Sequence, residues 1–145
     1  MTYLLDTCIL SEARKSNYPK SEKIKLWLDE CPETNTFISV ITLGEIQAGI
    51  SKLNQNEQRK KALFENWLLT DLIPRFEHRI LSIDIHTCSI WGQLRGEAQK
   101  NGHPLPAIDM LIAATAIQHR LVLVTINTKD FVSTGVSLLN PYTDL

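Results

Sequence analysis

The sequence is short of cysteine, of long apolar runs and of net charge, and each shortage removes a class of protein. Its three cysteines, Cys8, Cys31 and Cys88, are odd in number, widely spaced and without a Cys-x-x-Cys pair. Neither a disulfide framework nor a zinc site is expected, and the thiols read as reduced and cytoplasmic. The apolar runs fall far short of the ~20 residues that span a bilayer, so no membrane segment is expected. The amino terminus, Met1-Thr2-Tyr3-Leu4-Leu5-Asp6, has no basic leader and meets an acid at once, which argues against a secretory signal. Six glycines and six prolines exclude collagen-like and low-complexity chains. A net charge of −1, from 15 Lys+Arg against 16 Asp+Glu, excludes a protein that coats nucleic acid by charge alone. It leaves room for a nucleic-acid enzyme, because acids gathered around a cation are offset locally and free the basic side chains to face phosphates.

What is present is an ordinary globular composition, 43% hydrophobic and 21% charged over 145 residues, the size of one domain covering residues 1–145. Short apolar or β-rich runs at Thr2–Leu5, Thr36–Val40, Arg79–Ile83, Leu121–Thr125 and Val136–Leu139 read as strands. Between them, Ser21–Cys31, Ile41–Leu53, Asn54–Leu72, Ile85–Lys100 and Pro106–His119 carry helical spacing, while Asp6–Lys15 reads as helical or irregular. Pro74 should end or kink the fourth segment, and Asn101-Gly102 should stop the Ile85 helix. Strands alternating with helices predict an α/β fold with a mainly parallel sheet covered on both faces. In such sheets chemistry gathers beyond the carboxyl ends of the strands.

Two acids answer to that position. Asp6 follows the first strand, and Asp130 follows Leu121–Thr125 after a short polar link. Asp109 is more informative. It sits in Pro106-Ala107-Ile108-Asp109-Met110-Leu111-Ile112-Ala113, a segment apolar almost all round and so expected to be buried in a core or an interface. Burying a carboxylate is costly unless it is paired, hydrogen-bonded or metal-bound. The dipole at a helix amino end offers only ~0.3–1 kcal/mol against that. Glu45, about a turn into the helix after the second strand, shows the same anomaly more weakly, and on local evidence alone a surface role explains it better. Asp84 reads as the amino-terminal cap of the Ile85 helix. If Asp6, Glu45, Asp109 and Asp130 converge, two charges 4 Å apart cost ~4 kcal/mol at an effective dielectric near 20. An all-oxygen cluster of this kind suits Mg²⁺ or Mn²⁺ rather than zinc. Such an ion supports phosphodiester hydrolysis. The four histidines lack ligand spacing, and no nucleophile triad or phosphate-binding glycine loop is present. Arg59-Lys60-Lys61, Arg14, Lys15, Lys52, Arg95 and Lys129 are the cations available to phosphates, unranked by sequence.

Four segments in order, Leu4-Leu5-Asp6-Thr7, Ile38 to Ile46 with Gly44-Glu45, Asp109 to Ala116, and Leu123 to Phe131 with Thr125-Ile126-Asn127-Thr128-Lys129-Asp130, resemble the successive motifs of PIN-domain proteins. More narrowly they resemble the VapC toxins of bacterial toxin–antitoxin pairs, including the FitB-like branch. The resemblance implies a PIN-like three-layer sandwich. It implies a catalytic set of Asp6, Glu45, Asp109 and Asp130, with Mg²⁺ (or Mn²⁺) held by Asp6, Asp109 and Asp130 and supported by Thr7, Thr125 and Asn127. It also implies a ribonuclease that cuts structured RNA, often tRNA, to stop translation, and a homodimer silenced by a VapB-type antitoxin. Two positions depart from the family pattern. Cys8 stands where Asn is usual, and Ile126 where Arg is frequent. Dimerisation has a motive in the sequence too, since the Pro106–His119 helix is more apolar than one side of a small core requires. Two readings compete: a catalytically idle binding module, and a phosphoacceptor signalling domain. The second, like an Asp-x-Asp phosphatase, wants a second acid beside Asp6, where the chain has Thr7 and Cys8.

Overall fold

The computed structural model describes residues 1–15 and 19–144. Five strands form one parallel sheet: β1 (Tyr3–Leu5), β2 (Thr36–Ser39), β3 (Ile80–Leu81), β4 (Val122–Val124) and β5 (Leu138–Leu139), in the order β3-β2-β1-β4-β5. Every connection is therefore a crossover. Helices supply the first three, α1 (Thr7–Arg14), α2 (Pro19–Glu30), α3 (Val40–Ser51), α4 (Gln58–Trp67), α5 (Ile73–Arg75), α6 (Ile85–Lys100) and α7 (Ala107–His119), and two short 3-10 turns, Thr128–Asp130 and Val132–Thr134, lie in the β4–β5 link.

Alternation along the strands makes the three layers. Successive side chains of a strand point to opposite faces. Leu5 and Val124 enter one core with Ile9, Ile24, Ile38, Ile46, Ile50 and Leu72. Their neighbours Leu4 and Leu123 enter the other with Ile112, Ala113, Ala116 and Phe131. The α/β expectation holds, with the sheet wholly parallel.

The helix boundaries have local causes. Ser39 caps α3 by accepting from the Ile41 N–H at 3.0 Å, so the strand expected to run to Val40 ends one residue earlier. The helical segment ends at Arg75, one residue past Pro74, as expected. A π-turn at Leu68–Leu72, closed by the Ile73 N–H on the Leu68 carbonyl, widens the helix just before the proline ring that would otherwise clash. Gly102, at φ +71°, stops α6 where expected. α7 spends its hydrophobicity inside its own chain: Met110, Ile112, Ala113, Ala114 and Ala116 are all buried. Most of the burial foreseen for this helix is in the core, while Ile108 on its first turn stays 42% exposed.

β1 is where the order reverses, with β2 on one side and β4 on the other. The crevice at such a switch point, beyond the carboxyl ends of the strands, is the preferred ligand site of open parallel sheets.

Candidate active site

Asp6 stands at that switch point. Its backbone is extended (φ −70°, ψ 157°), and its side chain caps α1 by accepting from the Thr7 N–H at 2.9 Å. Its own N–H donates to the Val124 carbonyl at 3.0 Å, which continues the β1–β4 ladder one residue beyond the strand. The other carboxylate oxygen, Oδ2, accepts from Thr125 Oγ1 at 2.8 Å. Thr125 is fully buried, and its hydroxyl oxygen also accepts from the Asn127 N–H at 3.1 Å. One hydroxyl thus ties the end of β1 to the loop after β4. Asn127 acts here through its backbone, and its side chain is on the exposed surface.

Glu45 lies one turn into α3 and is exposed. Thr7 Oγ1 donates to its Oε1 at 2.6 Å. Thr42 Oγ1 lies 3.3 Å from the same Thr7 hydroxyl and is completely buried. Sequence reasoning missed Thr42, although a threonine three residues before Glu45 in an otherwise apolar stretch was a visible signal.

Asp109 is half-buried in the first turn of α7. Among the described residues it receives no hydrogen bond. Burial, then the negative charges of Asp6, Glu45 and Asp130, push its carboxyl above the ordinary value. A helix amino end would act in the opposite direction, so desolvation and three like charges outweigh the dipole. The same interactions place Asp6, Glu45 and Asp130 within electrostatic reach of Asp109. Asp130 closes the group from a single turn, Thr128–Asp130, its N–H on the Asn127 carbonyl at 3.0 Å. Among the described residues, no three His, Cys, Asp or Glu side chains are gathered closely enough to hold an ion by themselves. The acids share a crevice without forming a closed cage.

The two departures from the family pattern have different fates. Cys8 points into the site, its Sγ 3.6 Å from Asp6 Oδ2 and 3.6 Å from Thr125 Oγ1. Burial and the Asp6 charge push its thiol up to about 11, so at neutral pH it is a protonated weak donor to Asp6. Ile126 packs its side chain against the core, and its backbone hydrogen-bonds the Cys8 thiol. Asp84 is a cap, as expected: Oδ1 accepts from the His86 and Thr87 N–H groups at 2.9 and 3.0 Å, and from Gln118 Nε2 at 2.9 Å.

The comparisons with known proteins follow this geometry. The PIN domain family matches residues 3–136. Toxin FitB of Neisseria gonorrhoeae is 35% identical over 97% of this chain and 99% of its own length. The tRNA(fMet)-specific endonuclease VapC of Shigella flexneri is 30% identical over 93% of each. Among solved structures, FitAcB from Neisseria gonorrhoeae superposes with a TM-score of 0.88 at 33% identity, covering 98% of this chain and 99% of that one. The chain belongs to the PIN-domain family, in the branch of the FitB and VapC proteins.

Proposed function

We propose that this protein is the toxin of a toxin–antitoxin pair, an endoribonuclease that hydrolyses phosphodiester bonds in structured RNA, tRNA above all. The reading takes the 145 residues as a single PIN domain working in the cytoplasm with a VapB-type antitoxin as its partner. PIN-domain VapC ribonucleases are in general metal-dependent, and the ion proposed here is Mg²⁺, or Mn²⁺ in its place. The observation that carries the reading is Asp109: a half-buried carboxylate without a donor, facing three other acids. No helix is long and apolar enough to cross a membrane among the described residues.

The donor set fits a hard divalent ion. All four acids offer oxygen, and the thiol nearest them is held protonated. Mg²⁺ keeps several waters and takes only one or two carboxylates directly, which suits acids that share a crevice without closing on it. Asp6, Asp109 and Asp130 would hold the ion. Bound there, it would generate hydroxide from water and offset charge on the phosphoryl group.

The chain's own groups do the rest. The Thr7 N–H and Thr125 hydroxyl each hold one oxygen of Asp6, so that carboxylate is oriented before any ligand arrives, and preorganisation of this kind lowers the reorganisation needed in the reaction. Glu45, fixed by the Thr7 hydroxyl, is placed to orient the attacking water or take its proton.

The test is cleavage of total RNA, with ends mapped, by the wild type and by Asp6→Asn with and without Mg²⁺. Cleavage by the wild type only, and only with the ion, is expected. Equal cleavage by both nuclease-free preparations would overturn the assignment.

A further inference from the structure

Arg14 is the last residue of α1, the helix that Asp6 caps. Eight residues at 1.5 Å each place it about 12 Å along the helix from Asp6. Its guanidinium carbon lies 4.1 Å from the centroid of Phe64 and 4.3 Å from that of Trp67. These rings, three residues apart on α4, rest on the core beneath, while Arg14 is exposed. The guanidinium thus lies on two rings that pack on the core, and the residue is open to solvent.

A second stacked arginine shows what a structural one looks like. Arg79 lies over Phe76 at 4.5 Å, and its donors are consumed by the carbonyls of Glu33, Thr36 and Arg75. Arg14 has nothing of the kind. Among the described residues it makes neither a hydrogen bond nor an ion pair, the ion pairs there falling to Lys15, Lys60 and Arg75. Partial burial lowers its pKa from the ordinary value, and no carboxylate offsets that cost. The side chain is held by two rings and is exposed, and among the described residues its planar fork of N–H donors is unused.

We infer that Arg14, laid on Phe64 and Trp67, is a stacking platform for a nucleobase of the RNA strand that enters the acidic crevice. This deepens the ribonuclease reading and rests on it. A guanidinium plane accepts a base by stacking while its edge reaches a phosphate bidentately, and one nucleotide offers both. Exposed Arg59 and Lys60, on the first turn of α4, extend the positive surface on which a phosphate chain can run. The carboxylate of a partner peptide would engage the edge and leave the face idle. The favoured occupant is therefore RNA.

The test uses the full-length chain in the Asp6→Asn background, so that RNA is bound and not cut. Fluorescein-labelled mixed-sequence single-stranded RNA and bulk tRNA are titrated against the Asp6→Asn parent, Asp6→Asn/Arg14→Gln and Asp6→Asn/Arg14→Lys, with thermal melts to check folding. Loss of one stacked base should weaken binding by about tenfold. Arg14→Lys keeps the charge but neither plane nor fork, so it should recover less than half of the loss on a logarithmic scale. Binding by either double variant equal to the parent overturns the platform. Loss of antitoxin binding with RNA affinity unchanged would assign Arg14 to the protein partner and overturn it as well. If the wild type cuts RNA and the parent binds it, those outcomes remove only this inference. If the wild type neither binds nor cuts RNA, the ribonuclease reading falls and takes this one with it.

Discussion

Asp84 and Asp109 lie in the same β3–β4 crossover, beside opposite ends of α7, and their surroundings are opposite. Asp84 receives two backbone N–H groups and the Gln118 amide. These hydrogen bonds, the Thr87 N–H foremost, pull its carboxyl below the ordinary value. Asp109 receives no hydrogen bond among the described residues and faces Asp6, Glu45 and Asp130, and burial with those charges pushes it up. One carboxylate is supplied with donors by its own chain. The other is left for something the chain does not contain. Donor supply separates the capping acid from the one proposed to hold an ion.

The largest effect expected from this contrast is on catalysis. Asp109→Asn should lower the rate of metal-dependent RNA cleavage by at least about 10²-fold, while Asp84→Ala leaves it unchanged. Single-turnover rates on one RNA read both. Loss in the Asp84 variant at full folding would erase the distinction.

Next comes the buried hydroxyl that joins the two sides of the crevice. Thr125→Val removes a donor from Asp6 and leaves the Asn127 N–H without its acceptor. A stability loss of about 1–3 kcal/mol is expected, with cleavage reduced about 10–100-fold, as for other groups that orient metal-holding residues. Urea unfolding and cleavage rates on the same preparation measure the pair. Unchanged cleavage would show that Asp6 needs no such orientation.

A smaller effect concerns the apo protein. Asp109 titrates higher in the folded than in the unfolded state, whose value is near 3.9. The stability it contributes is present while it is protonated and is lost as pH rises through its folded value. Asp109→Asn should therefore melt higher than the wild type at pH 7 without metal, and the gap should narrow toward pH 4. Millimolar Mg²⁺ should raise the wild-type melting temperature and have little effect on the variant. A gap that does not change with pH would mean that packing, and not charge, separates the two.

The smallest effect belongs to Asp84. Its folded value is depressed, so its contribution is present above about pH 4 and fades as pH falls through the folded value. Asp84→Ala should lower the melting temperature slightly at pH 7 by uncapping α6, with the difference vanishing in acid. Thermal melts across that range decide it.

Much of this was legible in the residues. The strand and helix sequence follows from short β-rich runs separated by helical spacing, and the Asp84 cap and the Gly102 stop follow from residue type at one position. Asp109 stood out because a carboxylate in an apolar helix is costly to bury. The sequence signal for α7 was ambiguous in one respect, since a helix apolar all round can face a core or a second copy. Here the sheet and α6 cover most of it from within, and Ile108 stays exposed. The π-turn before Pro74 and the role of Thr42 were not legible, because each depends on what lies across a turn or a neighbouring helix.

Taken by itself, the sequence determined the α/β class, the helix caps and the candidate acids, since these are set by local periodicity and by the cost of isolating a charge. Only the tertiary structure decided that β1 lies between β2 and β4, which brings Asp6, Glu45 and Asp130 from distant parts of the chain within reach of Asp109. It alone separated Arg14, stacked and unpaired among the described residues, from Arg79, stacked and spent. The reason is physical: hydrogen-bond supply and electrostatic repulsion depend on distance in space, and residues far apart in sequence acquire such distances only when the core packs.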